Sequence, residues 1–428
     1  MSAFDKVIGY AEIKREMLQV CDMIKNRDIY EKMGAKMPRG MLLYGEPGLG
    51  KTLLCRCFVE ESGLPSFVIR RDKADGAFIK SITECFRKAK AQAPAVVLLD
   101  DLDKFANEDR EHKNAPEYVA VQAGIDTVKD SSVYVLATAN DYHILPDSLK
   151  RSGRFDKRIE VERPSDNEAD AIIRHYLKDK KVSENVDLED LSKMISYSSC
   201  AELEAMINEA AILAAFQRKE AIGMEDLIRV VLRVTYHSPD SETEIPADRL
   251  RKTAIHEAGH LVVCEALLPE SVGFASVRST DGSSAGGFIH RCKKLKNEMQ
   301  QVLVSLAGKA AVDLYYADEY PQGAASDIRR AVRRLRDNIS EEGALGFWLV
   351  DMSTPFRFRN ASENMNARSE TVTQAEMERC MMLTRSILLK NRDFLEKTAA
   401  ALIEKGQLLF SDIREIKRSV AVSEAPVF

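Results

Sequence analysis

The sequence predicts an α/β parallel-sheet P-loop module with a small helical lid, followed by a mainly α-helical second half. Three observations point that way. Residues 40–163 alternate short runs rich in Val, Ile and Leu with helix-length stretches, the pattern of βαβ units. Residues 165–236 carry helical periods and no convincing strand. An acidic stretch with two prolines, TYHSPDSETEIPAD (235–248), then separates these from a region that is again mostly helical.

The elements follow in order. GMLLYG (40–45), SFVIRR (66–71), AVVLLD (95–100), VYVLATA (133–139) and KRIEV (157–161) read as buried strands, with helices at 50–61 and 77–92 between the first three. Helical periods at 167–179, 187–196, 200–218 and 224–234 make the lid. Beyond the break, helices are expected over 248–268, 297–317, 327–341 and 373–405, with a hairpin or edge strands within 272–292. These edges divide the chain into 1–164, 165–236, a linker at 237–247, and 248–428.

Composition bounds the partners. The chain has 428 residues, a net charge of −5 and 45% apolar residues, so it can bury a large core. The acidic balance argues against nucleic acid as the main partner. The most apolar short run is AVVLL (95–99), far short of the ~18–20 residues of a span, so no membrane segment is expected in this chain. Eight scattered cysteines without a CxxC pair fit a reducing cytoplasm.

GEPGLGKT (45–52) fits G-x-x-x-x-G-K-[ST], between an expected strand and an expected helix. Gly45, Gly48 and Gly50 let backbone N–H groups wrap phosphates, and the helix N-terminus adds its positive dipole end. Lys51 reaches the β and γ phosphates and Thr52 can ligate Mg²⁺. AVVLLDD (95–101) ends a buried strand on two acids, where a metal and an attacking water need charge. Asn140 closes the next strand, and Arg151 and Arg154 flank a Ser-Gly turn.

TAIHEAGHLVV (253–263) contains H-E-x-x-H. His256 and His260 are four apart and share one helix face, so both can reach one ion. Glu257 can act as a base toward a water there. Zinc hydrolases use three protein ligands, and spacing leaves His290, Asp327 and Glu265 as candidates for the third. The arginines at 329–336 read as a solvated or ion-paired helix face.

From about residue 4 to 420 the chain resembles the FtsH family of ATP-dependent zinc metalloproteases, through FDKVIGYAEIKREM, PRGMLLYGEPGLGKTLL, SGRFD, SCAELEAMINEAAILAA, AIHEAGH and GAASDI. The resemblance implies a two-part AAA ATPase (1–164 and 165–236), a zinc protease domain (248–428) and a homo-hexameric ring acting on polypeptides with ATP, Mg²⁺ and Zn²⁺. Gly45, Glu46, Pro47, Gly48, Leu49, Gly50, Lys51, Thr52 and Leu53 look like the Walker A segment, and Asp100 like the Walker B aspartate. Asn140 looks like the γ-phosphate sensor, and Arg151 and Arg154 like arginine fingers serving a neighbouring subunit. His256, His260 and Asp327 look like the zinc ligands, Glu257 like the catalytic base, and GGFIH (286–290) like the strand that aligns substrate.

Three departures shape the expectations. Members of the family typically carry N-terminal membrane helices, whereas this sequence opens on the ATPase segment, so either a soluble relative or a shortened chain is expected. The Walker B glutamate is replaced by Asp101, a shorter acid in the water-positioning place. In the pore region DKADGAFIK (72–80) no aromatic precedes Gly76, which leaves Phe78 and Ile79, with Lys73 and Lys80, as the expected grip. The expected activity is ATP-dependent zinc endoproteolysis in a ring; the alternative is a nucleotide-gated remodelling protein with weak or peptide-only proteolysis.

Overall fold

The structure is a computed structural model that describes residues 2–71, 75–107, 115–151, 153–238, 245–278, 286–316, 324–340, 344–345 and 363–425. Lys73, Ser152, Gly323 and linker residues 239–244 lie outside the described residues. Contacts gather the chain into two compact units, Met1–Lys180 with Tyr197–Asn208, and Lys181–Ser196 with Glu209–Phe428.

The first unit runs α1 (Ala11–Lys25), α2 (Arg27–Lys32), β1 (Gly40–Tyr44), α3 (Lys51–Ser62), β2 (Ser66–Ile69), α4 (Asp75–Ala91), β3 (Ala95–Leu99), α5 (Ala115–Thr127), β4 (Val133–Ala139), α6 (Asp147–Lys150), β5 (Lys157–Glu160) and α7 (Asp166–Leu177). Its five strands form one sheet in the order β2-β3-β4-β1-β5, all pairs parallel. The central strands are apolar on both faces because both faces are covered. Val97 and Leu99 of β3 pack with Phe78, Phe86 and Phe105 on one side. Val96 and Leu98 pack with Phe4, Phe58 and Tyr134 on the other. All five expected strands are present. Helix α5 escaped the sequence reading because its apolar residues lie all around the helix and leave no periodic contrast.

The expected grip at Phe78 is corrected by this packing. Phe78 is 1% exposed and stands edge-on to Phe105, with ring centroids 5.2 Å apart. It is a core residue, Ile79 is half-buried, and Gly76, Ala77 and Lys80 are exposed beside it.

The second unit holds α8 (Leu188–Met194), the residues from Glu209 onward of α9 (Cys200–Phe216), α10 (Met224–Val234), α11 (Ala247–Leu267), β6 (Val272–Ser276), β7 (Phe288–Arg291), α12 (Glu298–Tyr315), α13 (Ala325–Ser340), α14 (Glu363–Lys390), α15 (Arg392–Lys405), β8 (Gln407–Leu409) and α16 (Phe410–Arg418). Helices α11, α12 and α15 share its core through Val262, Leu303, Ala307 and Leu395. The hairpin is an antiparallel sheet of three strands in the order β7-β6-β8. The mostly helical stretch expected over 373–405 belongs to two helices, α14 and α15. Buried Asn391 ends the first by turning its amide to the carbonyls of Ile387 (2.9 Å) and Ser423 (3.0 Å).

Glu265 is removed from the ligand candidates. It is 1% exposed and accepts the N–H groups of Glu270, Ser271 and Val272 at 2.9, 2.8 and 3.0 Å, and Lys417 Nζ at 2.9 Å. A buried carboxylate satisfied four times over fixes the turn into β6. Among the described residues no helix is long and apolar enough to cross a membrane.

Candidate functional site

In the first unit the loop after β1 opens α3, and Gly50 caps that helix with φ +85°, a left-handed conformation that glycine adopts without strain. Lys51 is 6% exposed, and its ammonium donates to the carbonyls of Gly45 and Glu46, each at 2.7 Å. Burial lowers the Lys51 pKa, and the fields of Asp103, Asp101, Asp100 and Glu46 oppose that shift. Thr52 Oγ1 donates to Asp100 Oδ1 at 2.9 Å, so loop and strand tip meet as the spacing implied. Parallel pairing of Tyr44 with Ala139 carries Asn140 to the same sheet edge.

Asp101 sits differently from its neighbour. Its backbone is left-handed (φ +54°, ψ +52°), and its carboxylate pairs with Lys104 at 2.7 Å and Arg70 at 3.8 Å. Arg154 is engaged within its own chain, with Nε and Nη2 on the two oxygens of Asp126 at 3.3 and 2.9 Å and Nη1 on the Ser148 carbonyl. Arg151 is exposed and has no ion pair among the described residues. Arg163, unmarked in the sequence reading, donates to Glu46 of the loop at 2.6 Å.

In the second unit a metal-ligand set converges. His256 and His260 project from α11, and Asp327 comes from the first turn of α13. His256 Nε2 is 3.1 Å from His260 Nε2 and 3.2 Å from Asp327 Oδ2, and His260 Nε2 is 3.5 Å from the same oxygen. Tetrahedral zinc with bonds near 2.0–2.1 Å sets its ligand atoms about 3.3 Å apart, so the three edges fit that ion. The chemistry of the set agrees. His260 Nδ1 donates to the Val304 carbonyl at 2.7 Å, which fixes the ring so that Nε2 faces His256 Nε2 and Asp327. Burial disfavours the ionised form of Asp327, but hydrogen bonds and charge from His256 and His260 outweigh it and hold its carboxyl below the usual range.

Helix α12 makes room for this cluster. A Cβ on Gly308 would stand 2.3–2.6 Å from three ring atoms of His256. Glu257 lies outside the ligand set, 4% exposed, and accepts a hydrogen bond from the Gly287 N–H beside β7. Burial pushes its carboxyl up to about 7, with His256 pulling the other way. His290 is not brought to the cluster. Its Nε2 lies 2.9 Å from Ser196 Oγ, and burial, with Arg291 adding to it, lowers its pKa to about 4.

Residues 41–163 match the family of ATPases associated with various cellular activities (AAA). The chain is 30% identical to "ATP-dependent zinc metalloprotease FtsH" of Caldicellulosiruptor bescii over 96% of its own length and 71% of that protein. It is 30% identical to the protein of the same name from Streptobacillus moniliformis, over 98% of the chain and 65% of that protein. Against "ATP-dependent zinc metalloprotease FtsH 1" of Thermomicrobium roseum the identity is again 30%, over 95% and 66%. The chain thus spans about two thirds of the length of these relatives.

Proposed function

The chain belongs to the FtsH family of ATP-dependent zinc metalloproteases, and from that membership we propose that it is an ATP-driven zinc endopeptidase that degrades polypeptides. The observation that carries the reading is the cluster of His256, His260 and Asp327 with buried Glu257 beside it. Order of motifs supports a division into an ATPase part (1–164), a lid (165–236), a linker (237–247) and a protease domain (248–428). A homo-hexameric ring in the cytoplasm, with no nucleic-acid partner, completes the proposal.

At the protease site His256, His260 and Asp327 hold Zn²⁺, which supplies a Lewis acid for the peptide carbonyl and for water. Glu257 takes the proton from the attacking water and returns it to the leaving amine. Glu257, buried beside the ligands and outside their set, is placed for both halves of that exchange. Strand β7 is an edge of its sheet, so its outward backbone groups can accept a substrate peptide as an added strand beside Glu257.

At the nucleotide site Gly45 to Leu53 cradle the phosphates of ATP, whose Mg²⁺ neutralises charge on the transferred group. Lys51 leaves its two carbonyl partners for the phosphates, Thr52 and Asp100 hold the metal side, Asp101 orients the water and Asn140 faces the γ-phosphate. Arg151 and Arg154 serve a neighbouring subunit, Arg154 once released from Asp126. The Lys104 pairing of Asp101 favours slow hydrolysis. Casein degradation with and without ATP, beside cleavage of a short unstructured peptide, tests the reading. ATP-stimulated casein loss is expected. Peptide cleavage without any effect of ATP on casein would instead support the remodelling alternative.

A further inference from the structure

Thr138 lies in β4, 1% exposed, two residues before Asn140. Its Oγ1 is 2.9 Å from Asp100 Oδ1 and 2.9 Å from the backbone nitrogen of Asp101. A hydroxyl has one proton. The Asp101 N–H can only donate, so the Thr138 oxygen accepts from it and sends its own proton to the Asp100 carboxylate. Both bonds thereby have a fixed direction. The Asp100 oxygen that receives it is also the one that accepts from Thr52.

The Asp101 backbone needs such a partner. A non-glycine residue at φ +54° persists only where its surroundings determine it. The Thr138 hydroxyl bonds directly to that residue's N–H, and the same backbone turn directs the Asp101 carboxylate toward Lys104 and Arg70. Apart from Tyr134, whose ring packs into the core, the other positions of the strand are Val133, Val135, Leu136, Ala137 and Ala139, so packing alone gives no reason for a hydroxyl at Thr138. Valine would fill the same space and suit a buried strand.

We propose that Thr138 is a positioning residue of the ATP site, whose hydroxyl fixes the Asp100 carboxylate against Thr52 and the Asp101 backbone in its left-handed turn. The role rests on the ATPase reading above and acts through the two acids. Loss of the hydroxyl frees Asp100 to rotate and leaves the Asp101 N–H without its acceptor, so metal-dependent turnover suffers while nucleotide affinity without metal does not.

Thr138→Val and Thr138→Ser separate this from a packing role. ATP turnover is measured across a Mg²⁺ titration, nucleotide affinity by a fluorescent ATP analogue in EDTA, and folding by far-ultraviolet circular dichroism. Thr138→Val is expected to lower kcat by ~10- to 100-fold and raise the half-saturating Mg²⁺, with EDTA affinity within about twofold of wild type. Thr138→Ser keeps the hydroxyl and is expected to retain most of the turnover. Wild-type kcat and Mg²⁺ dependence in Thr138→Val overturn the proposal, as do equal losses in both variants that track the folded fraction. A wild-type protein that neither binds nor hydrolyses ATP overturns the ATPase reading itself, before either variant is compared.

Discussion

Gly308→Ala places the sharpest demand on the metal centre. The added methyl carbon would lie 2.3 Å from His256 Cε1 and 2.4 Å from Nε2. Ordinary contact begins near 3.4 Å, so the imidazole must retreat by about 1 Å. Zinc ligation tolerates displacements of about 0.2 Å, and His256 is the corner of the ligand triangle where its 3.1 and 3.2 Å sides meet. The expected loss of zinc affinity is at least 10- to 100-fold, or about 1.4–2.7 kcal/mol. Helix propensity pulls the opposite way, because alanine favours a helix over glycine by about 1 kcal/mol. The variant therefore keeps or gains helix content while it loses metal. Competition for zinc against a chromophoric chelator gives the affinity, and circular dichroism gives the helix content. Wild-type zinc affinity in a folded Gly308→Ala protein would refute the placement of His256 against α12.

Three further outcomes follow from the same geometry. Glu257→Gln should keep zinc, since Glu257 is no ligand, and abolish casein cleavage, whereas His260→Ala should lose the metal in atomic-absorption analysis. Asp101→Glu should raise ATP turnover over a slow wild type and Asp101→Asn should abolish it; an Asn variant as fast as wild type excludes Asp101 as the acid that orients water. His290 is held neutral by burial, with its pKa lowered from 6.5 to about 4, so the unfolded chain binds the extra proton first and stability falls as pH drops through that window. Between pH 7 and pH 5 the loss from this group is about 2 kcal/mol, and urea unfolding of His290→Gln should show a correspondingly flatter pH dependence.

Contiguous chemistry was legible in the sequence. The phosphate loop is eight consecutive residues whose backbone does the binding, and H-E-x-x-H needs only the pitch of one helix to bring two ligands together. The five parallel strands announced themselves because burial on both faces demands unbroken Val, Ile and Leu. Spacing offers Asp327 only as one of three candidates and the GAASDI resemblance singles it out, since 71 positions separate it from His256 and the packing of α13 against α12 closes that distance. By sequence His290 is an open candidate and Glu265 a less favoured one on a less suitable helix face, and their Ser196 and backbone N–H partners are tertiary facts. Phe78 was misplaced for a related reason: by sequence it is the nearest aromatic stand-in for the grip, and only the packing of α4 shows it entering the core. Thr138 left no signal at all, because threonine is an ordinary strand residue and only its two partners distinguish it.

The sheet order β7-β6-β8 ties the chemistry to the calendar of synthesis. Glu257 and both histidines leave the ribosome long before Gln407–Leu409, yet β6, the strand that aligns β7 beside Glu257, receives its second neighbour only when that late segment arrives. A nascent chain bearing the complete H-E-x-x-H helix thus still lacks one flank of the strand pair that would present a peptide to it. For the proposed protease, chain order therefore places completion of the sheet that borders Glu257 at residue 409, after Glu257 and all three metal-ligand candidates have been synthesised.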